Sequence, residues 1–202
     1  MAAVDWPTGP KWIPADIQIG LSAPGTSWSA PYGGALQRIS LFNDKLMARL
    51  SLIPLVDKVL AGQREAWLFG VKSAGDVVRL HHFARPRPNG TLTGSPTVTS
   101  DVLAGARSIS LSGCAVGATL IGGDMLGVGG KLLQVSYVGG AANGSGVMAL
   151  TLSIATRAAI TAGAAVTLIK PTSEWQIVGI DPQLEYRPGG LQLGPEVFLI
   201  EA

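Results

Sequence analysis

Pro54-Leu55-Val56-Asp57-Lys58-Val59-Leu60-Ala61-Gly62-Gln63-Arg64-Glu65-Ala66-Trp67-Leu68-Phe69-Gly70 is the one stretch of this chain that reads as a helix, within a sequence of strand and turn patterns. Proline suits the first helical turn, where its missing N–H has no intrahelical partner to lose. Val56, Val59, Leu60 and Trp67 fall on one face at helical spacing, and Gly70 is a fitting stop. Gly62 in the interior works against the helix by about 1 kcal/mol relative to alanine. A helix over about 54–70 is expected all the same.

Upstream, the first residues are crowded with Trp6, Pro7, Pro10, Trp12 and Pro14. Each proline removes a donor and restricts its predecessor, so residues 1–16 read as an extended arm and not as a helix. Its indoles require an apolar groove, either in this subunit or in a neighbour. Three strands are expected near Ile17–Leu21, Gln37–Phe42 and Lys45–Ile53. Asn43-Asp44 between the last two reads as a tight hairpin turn, because both residues tolerate positive φ. Met47, Leu50 and Leu52 do not alternate cleanly, which points to a bulge or a strand end.

Downstream of Thr91 the composition changes. Between Asp101 and Lys170 the charged residues are those two with Arg107, Asp124, Lys131 and Arg157, and glycine is dense. Short strands are expected at Ser108–Leu111, Met125–Val128, Lys131–Val138, Met148–Ile154 and Ala165–Ile169. Turns fall at Gly122-Gly123-Asp124, Gly129-Gly130, Gly139-Gly140 and Asn143-Gly144. Five short strands so punctuated suggest a small β-barrel over residues 96–171. Glu174–Ile180 and Glu196–Ile200 then read as strands returning to the first unit. That unit is therefore discontinuous, residues 1–95 with 172–202, an arrangement tolerated where chain ends lie close together.

Hydrophobic residues make up 47% of the chain and charged residues only 14%, against a usual charged share of roughly 25%. Mean hydropathy is +0.36. Either the chain enters a membrane or partners cover much of its surface. The one membrane candidate, Val147–Ile169, alternates with period two and contains Arg157, whereas a spanning helix needs about 20 largely uninterrupted apolar residues. Subunit contacts explain the low charge better. Met1–Pro7 has neither a basic start nor an apolar core, so no secretion signal is expected. A lone Cys114 forms no internal disulfide and fits synthesis in a reducing compartment. A dispersed net charge of +2 does not indicate a nucleic-acid surface.

No catalytic, cofactor or metal constellation emerges. Gly127-Val128-Gly129-Gly130-Lys131-Leu132 lacks the Ser or Thr and the helix that a phosphate loop requires. His81 and His82 are adjacent on a strand and point to opposite faces, so they do not chelate one ion. Cys114 lies among small, mostly apolar neighbours and reads as a buried thiol. Glu174, Asp181 and Glu185 lack the burial or partner that paired acid–base work needs. Asn89-Gly90-Thr91 and Asn143-Gly144-Ser145 read as Asn-Gly turns. Among the tryptophans, Trp67 and Trp175 belong to regular elements and the core. Trp6, Trp12 and Trp28 are the candidate interface residues, favoured for core or intersubunit packing over stacking on a ligand.

Certain fragments occur in an informative order: Gly33-Gly34 with Gln37-Arg38, Arg64–Phe69, Val77–Leu80, and the turn Pro88-Asn89-Gly90-Thr91. Further on come Gly123-Asp124, Leu133-Gln134-Val135, and Ala164-Ala165-Val166 before Lys170-Pro171-Thr172. In that order, from about Gly33 to Ile177, the chain resembles the distal tail (tail-tip adaptor) proteins of siphophages and prophages. One departure is Val77-Val78-Arg79-Leu80, where relatives have a glycine-containing loop leading to a Phe strand. The resemblance implies a mainly β fold, a tail-tube-like β-sandwich with one flanking helix and an inserted small barrel. It implies a non-enzymatic structural role, without cofactors, in the virion at the phage tail tip. Copies, usually six, form a homo-oligomeric ring joining the tail tube protein to the baseplate hub and receptor-binding proteins. A carbohydrate-binding tail module, or another tube or completion protein, is the alternative; a peptidoglycan-cleaving enzyme fits least.

Overall fold

The structure is a computed structural model, and it describes residues 2–22, 44–181, 186–188 and 191–202 together with the backbone of 25–28 and 37–40. The fold is mainly β with one α-helix. In chain order the elements are β1 (Ala3–Asp5), a 3-10 turn (Pro10–Trp12), β2 (Pro14–Ser22), β3 (Gly25–Trp28), β4 (Gln37–Ser40), β5 (Lys45–Leu52), α1 (Lys58–Ala74) and β6 (Val77–His81). There follow β7 (Thr97–Val98), β8 (Ser108–Ser112), β9 (Thr119–Leu120), β10 (Met125–Val128), β11 (Lys131–Gln134), β12 (Gly140–Ala141), β13 (Met148–Thr151) and β14 (Val166–Thr167). The last are β15 (Thr172–Asp181), β16 (Tyr186–Arg187), β17 (Leu191–Gln192) and β18 (Glu196–Glu201). Among the described residues no helix is long and apolar enough to cross a membrane.

A six-stranded sheet in the order β1-β6-β15-β18-β5-β2 organises the first unit. All its pairs are antiparallel except β1 on β6. In β5 the alternation is clean: Leu46, Ala48, Leu50 and Leu52 are buried, and Met47 points away. The irregularity expected here lies instead in β2 between Pro14 and Asp16 and in β15 between Ile177 and Gly179. Side chains two apart share a face, so Leu50 meets Val197, Leu199 meets Ile177, and Trp175 meets Val78 in one core. Among the described residues the strands at 37–42 and 45–53 do not pair as the expected hairpin. β4 pairs with β3, whereas β5 pairs with β2 and β18, and residues 41–43 lie outside the described ones.

The helix exists, but its bounds and its buried face differ from the sequence reading. It begins after Asp57, whose carboxylate accepts from the N–H groups of Val59 (2.9 Å) and Leu60 (3.3 Å). Side-chain capping of this kind satisfies donors that lack intrahelical partners. Leu55, expected inside the helix, instead forms a bridge to Gln192. Gly70 does not stop the helix, which runs on to Ala74. Gly75 ends it at φ 66°, and the N–H groups of Gly75 and Asp76 return to the carbonyls of Lys72 and Val71. The buried face is Ala61, Arg64, Leu68 and Val71, while Val56 and Val59 are exposed. A buried arginine in that stripe is why counting apolar residues put the face about a quarter-turn away. Asp57→Ala and Gly75→Ala are each expected to lower unfolding free energy by about 1 kcal/mol, the first through the lost cap and the second through left-handed strain. Urea denaturation measures both.

Residues 92–168 carry a separate core that includes Leu92, Ile109, Leu111, Leu126, Met148 and Leu150. Its strands form the sheets β11-β10-β14, β13-β8-β7 and β12-β9. Isolated bridges Thr97–Ala165 and Val135–Leu152 span the seams between the two three-stranded sheets. Among the described strands these sheets do not close into a continuous barrel. Gly129 and Gly130, at φ 57° and 75°, make the two-residue turn between β10 and β11, the positive-φ geometry that two-residue hairpins favour. Three strands are shorter than expected: β11 stops at Gln134, β13 at Thr151, and β14 spans only Val166–Thr167. Met125, Leu132 and Ile154 of this unit join the core of the six-stranded sheet on the face that α1 covers.

Candidate interaction surfaces and joints

Residues 1–16 are no free arm. β1 adds in parallel to the edge of the sheet, the Ala2 N–H donates to the Asp76 carboxylate (2.8 Å), and β2 already begins at Pro14. The groove that the indoles require is in this subunit. Trp6, only 8% exposed, donates from Nε1 to the Trp12 carbonyl at 2.8 Å. Its ring meets Trp12, Trp67 and Phe83 edge-on at centroid distances of 5.8, 5.4 and 6.3 Å, and Trp12 meets Trp67 at 5.0 Å. Edge-to-face pairs of this kind exploit the ring quadrupole. Trp28 lies on β3, and its side chain is outside the described residues. Thus Trp6 and Trp12 pack against one another within this subunit, Trp12 only partly buried, with Phe83 a member that sequence reading missed. Trp175 is buried in the sheet core.

Arg64 organises a second cluster. Burial lowers its pKa, and its Nε donates to Gln192 Oε1 at 3.0 Å while another guanidinium nitrogen donates to the Ile53 carbonyl at 2.6 Å. Gln192 Nε2 donates to the Tyr186 hydroxyl at 3.0 Å, and that hydroxyl donates to Glu65. The bond to Glu65 is the main reason the Tyr186 pKa is raised. The network fixes β16 and β17 to the helix, a fastening role.

Two joints connect the sheet unit to residues 92–168. In the first, Asp124 is 2% exposed, and its carboxylate accepts from the N–H groups of Asn89 (2.8 Å), Gly90 (3.1 Å) and Ile121 (2.9 Å). Arg85 donates to the Gly123 carbonyl beside it at 2.9 Å. The Pro-Asn-Gly turn and Gly123-Asp124, distant in sequence, are one structure. In the second joint, Arg157 pairs with the fully buried Glu201 and donates to the Leu132 carbonyl at 2.9 Å. Glu201 Oε1 also accepts from the Leu132 N–H at 3.3 Å. Both joints are ionic groups held by backbone, which fixes position without any reacting partner.

The residues weighed for chemistry are dispersed. His82 is buried and His81 half-buried, and among the described residues no group of three or more His, Cys, Asp or Glu side chains comes together. Cys114 is buried, which raises its thiol pKa, and its N–H donates to the Gly146 carbonyl. Lys131 opens a strand after a hairpin turn. Glu174 faces Arg79 at 3.6 Å. The side chains of Asp181 and Glu185 lie outside the described residues.

Burial lowers the pKa of both imidazoles, with Lys170 adding to the effect at His81 and Arg85 at His82. Just below the ordinary imidazole value of about 6.5 the unfolded chain therefore binds more protons than the folded one. Stability accordingly declines as pH falls through that value, by at most about 1.4 kcal/mol per pH unit for each histidine. Urea midpoints at about pH 7.5 and about pH 5.5 measure the slope, which His82→Gln should flatten.

No protein-family model matches this chain, and no curated protein matches it.

Proposed function

We propose that this protein is a structural, non-enzymatic, ring-forming subunit of the distal tail kind. It would sit at the tip of a phage tail between the tail tube protein and the baseplate hub with its receptor-binding proteins. In this reading residues 1–95 and 172–202 form the tail-tube-like sandwich unit with α1 on its flank. Residues 96–171 form the inserted barrel, its two three-stranded sheets joined at the seams by single bridges.

The observation that most supports the reading is the Asp124 joint. Two fragments of the resemblance that are 34 and 35 positions apart, the Pro-Asn-Gly turn and Gly123-Asp124, meet in one buried hydrogen-bonded unit. Their spacing thus has a physical reason, the attachment of an inserted unit to a sheet. Low charge is a second support, since obligate interfaces are more apolar than ordinary protein surface. Val56, Val59, Leu103, Val116, Tyr137 and Val138 are all more than two-thirds exposed, apolar positions that partners in an assembly would cover.

Immunogold labelling of virions that carry the chain tests the assigned station. Label confined to the distal end of the tail is the expected result. Label along the whole tail would make the chain a tube protein, and absence from virions would overturn the reading. Glycan-array binding by the purified chain would instead favour the carbohydrate-binding alternative.

A further inference from the structure

The chain contains two Asn-Gly steps, Asn89-Gly90 and Asn143-Gly144, and the fold holds them in opposite ways. An asparagine before glycine carries a chemistry of its own. The glycine amide nitrogen lies one bond beyond the asparagine main-chain carbonyl, and no Cβ on the glycine hinders its approach to the side-chain Cγ. Attack within one chain needs no second reactant to be brought into place, a large advantage over attack by water. The structure decides whether that nitrogen is free. At Gly90 it is not. The Gly90 N–H donates to the buried Asp124 carboxylate at 3.1 Å, and the Asn89 N–H donates to the other carboxylate oxygen at 2.8 Å. Gly90 also lies tight on the backbone of residues 119–120, where an added Cβ would collide with the Thr119 carbonyl oxygen. Closing a ring at Asn89 requires the bond to Asp124 to break and the turn to leave its seat.

At Asn143-Gly144 the arrangement is reversed. Asn143, Gly144 and Ser145 are all exposed. Among the described residues the Gly144 N–H has no hydrogen-bond acceptor. The Asn143 Oδ1 accepts instead from the N–H groups of Ser145 (2.9 Å) and Val147 (3.0 Å). Donors placed on a carbonyl oxygen favour the negative charge that develops there when the carbon is attacked. The ends of the turn are fixed, because the Asn143 N–H donates to the Val147 carbonyl (2.9 Å) and the Gly146 N–H to the Asn143 carbonyl (3.0 Å). Nothing packs on Gly144 itself, where a Cβ would meet no atom within 4 Å.

We infer that Asn143 is a site of spontaneous deamidation and that Asp124 protects Asn89 from the same reaction. Hydroxide takes the Gly144 amide proton, and the nitrogen forms a bond to Asn143 Cγ. The Cγ–Nδ2 bond then breaks, and Nδ2 leaves as ammonia with a proton from water. The cyclic imide takes up one water at either of its carbonyls and opens to aspartate or isoaspartate. One amide and one water are consumed, and one carboxylic acid and one ammonia are formed. The ionised product takes one from the formal net charge of +2 and places a carboxylate in a stretch with few charges. That carboxylate arises beside the turn of Val116, 69% exposed, whose neighbour Gly117 donates to the Ala142 carbonyl.

Peptide mapping by mass spectrometry, on the full chain incubated at mildly alkaline pH with and without urea, tests both halves of the inference. Methyl transfer by an isoaspartyl methyltransferase identifies the isoaspartate product. In the folded chain Asn143 should convert, and Asn89 should convert about tenfold more slowly or less, because a hydrogen bond to a charged acceptor must open first. In urea the two should convert at similar rates. Gly144→Ala, made where a Cβ has open space, should slow conversion at Asn143 several-fold and leave the melting temperature unchanged. Asp124→Asn weakens the hold on Gly90 and should speed conversion at Asn89 alone. A folded chain in which Asn143 stays intact while urea renders it reactive overturns the assignment of the site. Folded-state conversion of Asn89 as fast as that of Asn143, or no change at Asn89 in Asp124→Asn, overturns the protecting role of Asp124.

Discussion

Asp124→Ala should unfasten the second unit from the sheet. The substitution removes the acceptor for three backbone N–H groups at once, those of Asn89, Gly90 and Ile121. Each buried donor left without a partner costs about 1–3 kcal/mol. Part of the site borders solvent, since the Asn89 side chain is exposed, so water recovers some of the loss. A net destabilisation of about 3–5 kcal/mol follows, and for a chain of this size that lowers the melting temperature by about 10 °C. Asp124→Asn keeps the shape but turns an amide NH₂ toward a donor, and should lose roughly half as much. Scanning calorimetry of both variants checks the order. Equal, small effects would mean that the carboxylate is not the fastening group.

Glu201→Ala should be of similar size for a different reason. Glu201 is fully buried in β18, and Arg157 is its nearly buried partner, so the variant leaves a guanidinium without a counter-charge. Breaking a buried pair from one side costs about 3–5 kcal/mol. Removing both charges is another matter. Arg157 Nε and one terminal nitrogen, and Glu201 Oε2, make no hydrogen bond in this pair. An incompletely satisfied pair contributes little net stability over apolar side chains of similar volume. Arg157→Met with Glu201→Leu should therefore recover most of the loss and come near or above the wild-type midpoint in urea. A double variant as unstable as Glu201→Ala would show that the pair is worth more than its geometry suggests.

How much of this was legible in the sequence depended on whether the deciding contact was local. The hairpin at Gly129-Gly130 was readable because its signal lies within a few residues, and the returning strands at Glu174 and Glu196 were readable from their short apolar segments. The face of α1 was not, because Arg64 occupies the middle of the buried stripe and satisfies itself on Gln192, 128 residues away. β4 was assigned to β5 by nearness in sequence, yet it pairs with β3. Trp6 and Trp12 looked like groups seeking a neighbour, and their groove is Trp67 and Phe83 of the same chain. Asp124 carried a signal that was passed over: one acid in a nearly uncharged stretch, set after two glycines, is a residue held inside by backbone donors.

The central claim is that copies of this chain close on one another, and the mass of the purified chain in solution tests it most directly. Light scattering across a wide concentration series should give one fixed multiple of 20.8 kDa, since a closed ring adds no further subunits as concentration rises. A mass of one chain at every concentration, from a folded sample, would contradict the account.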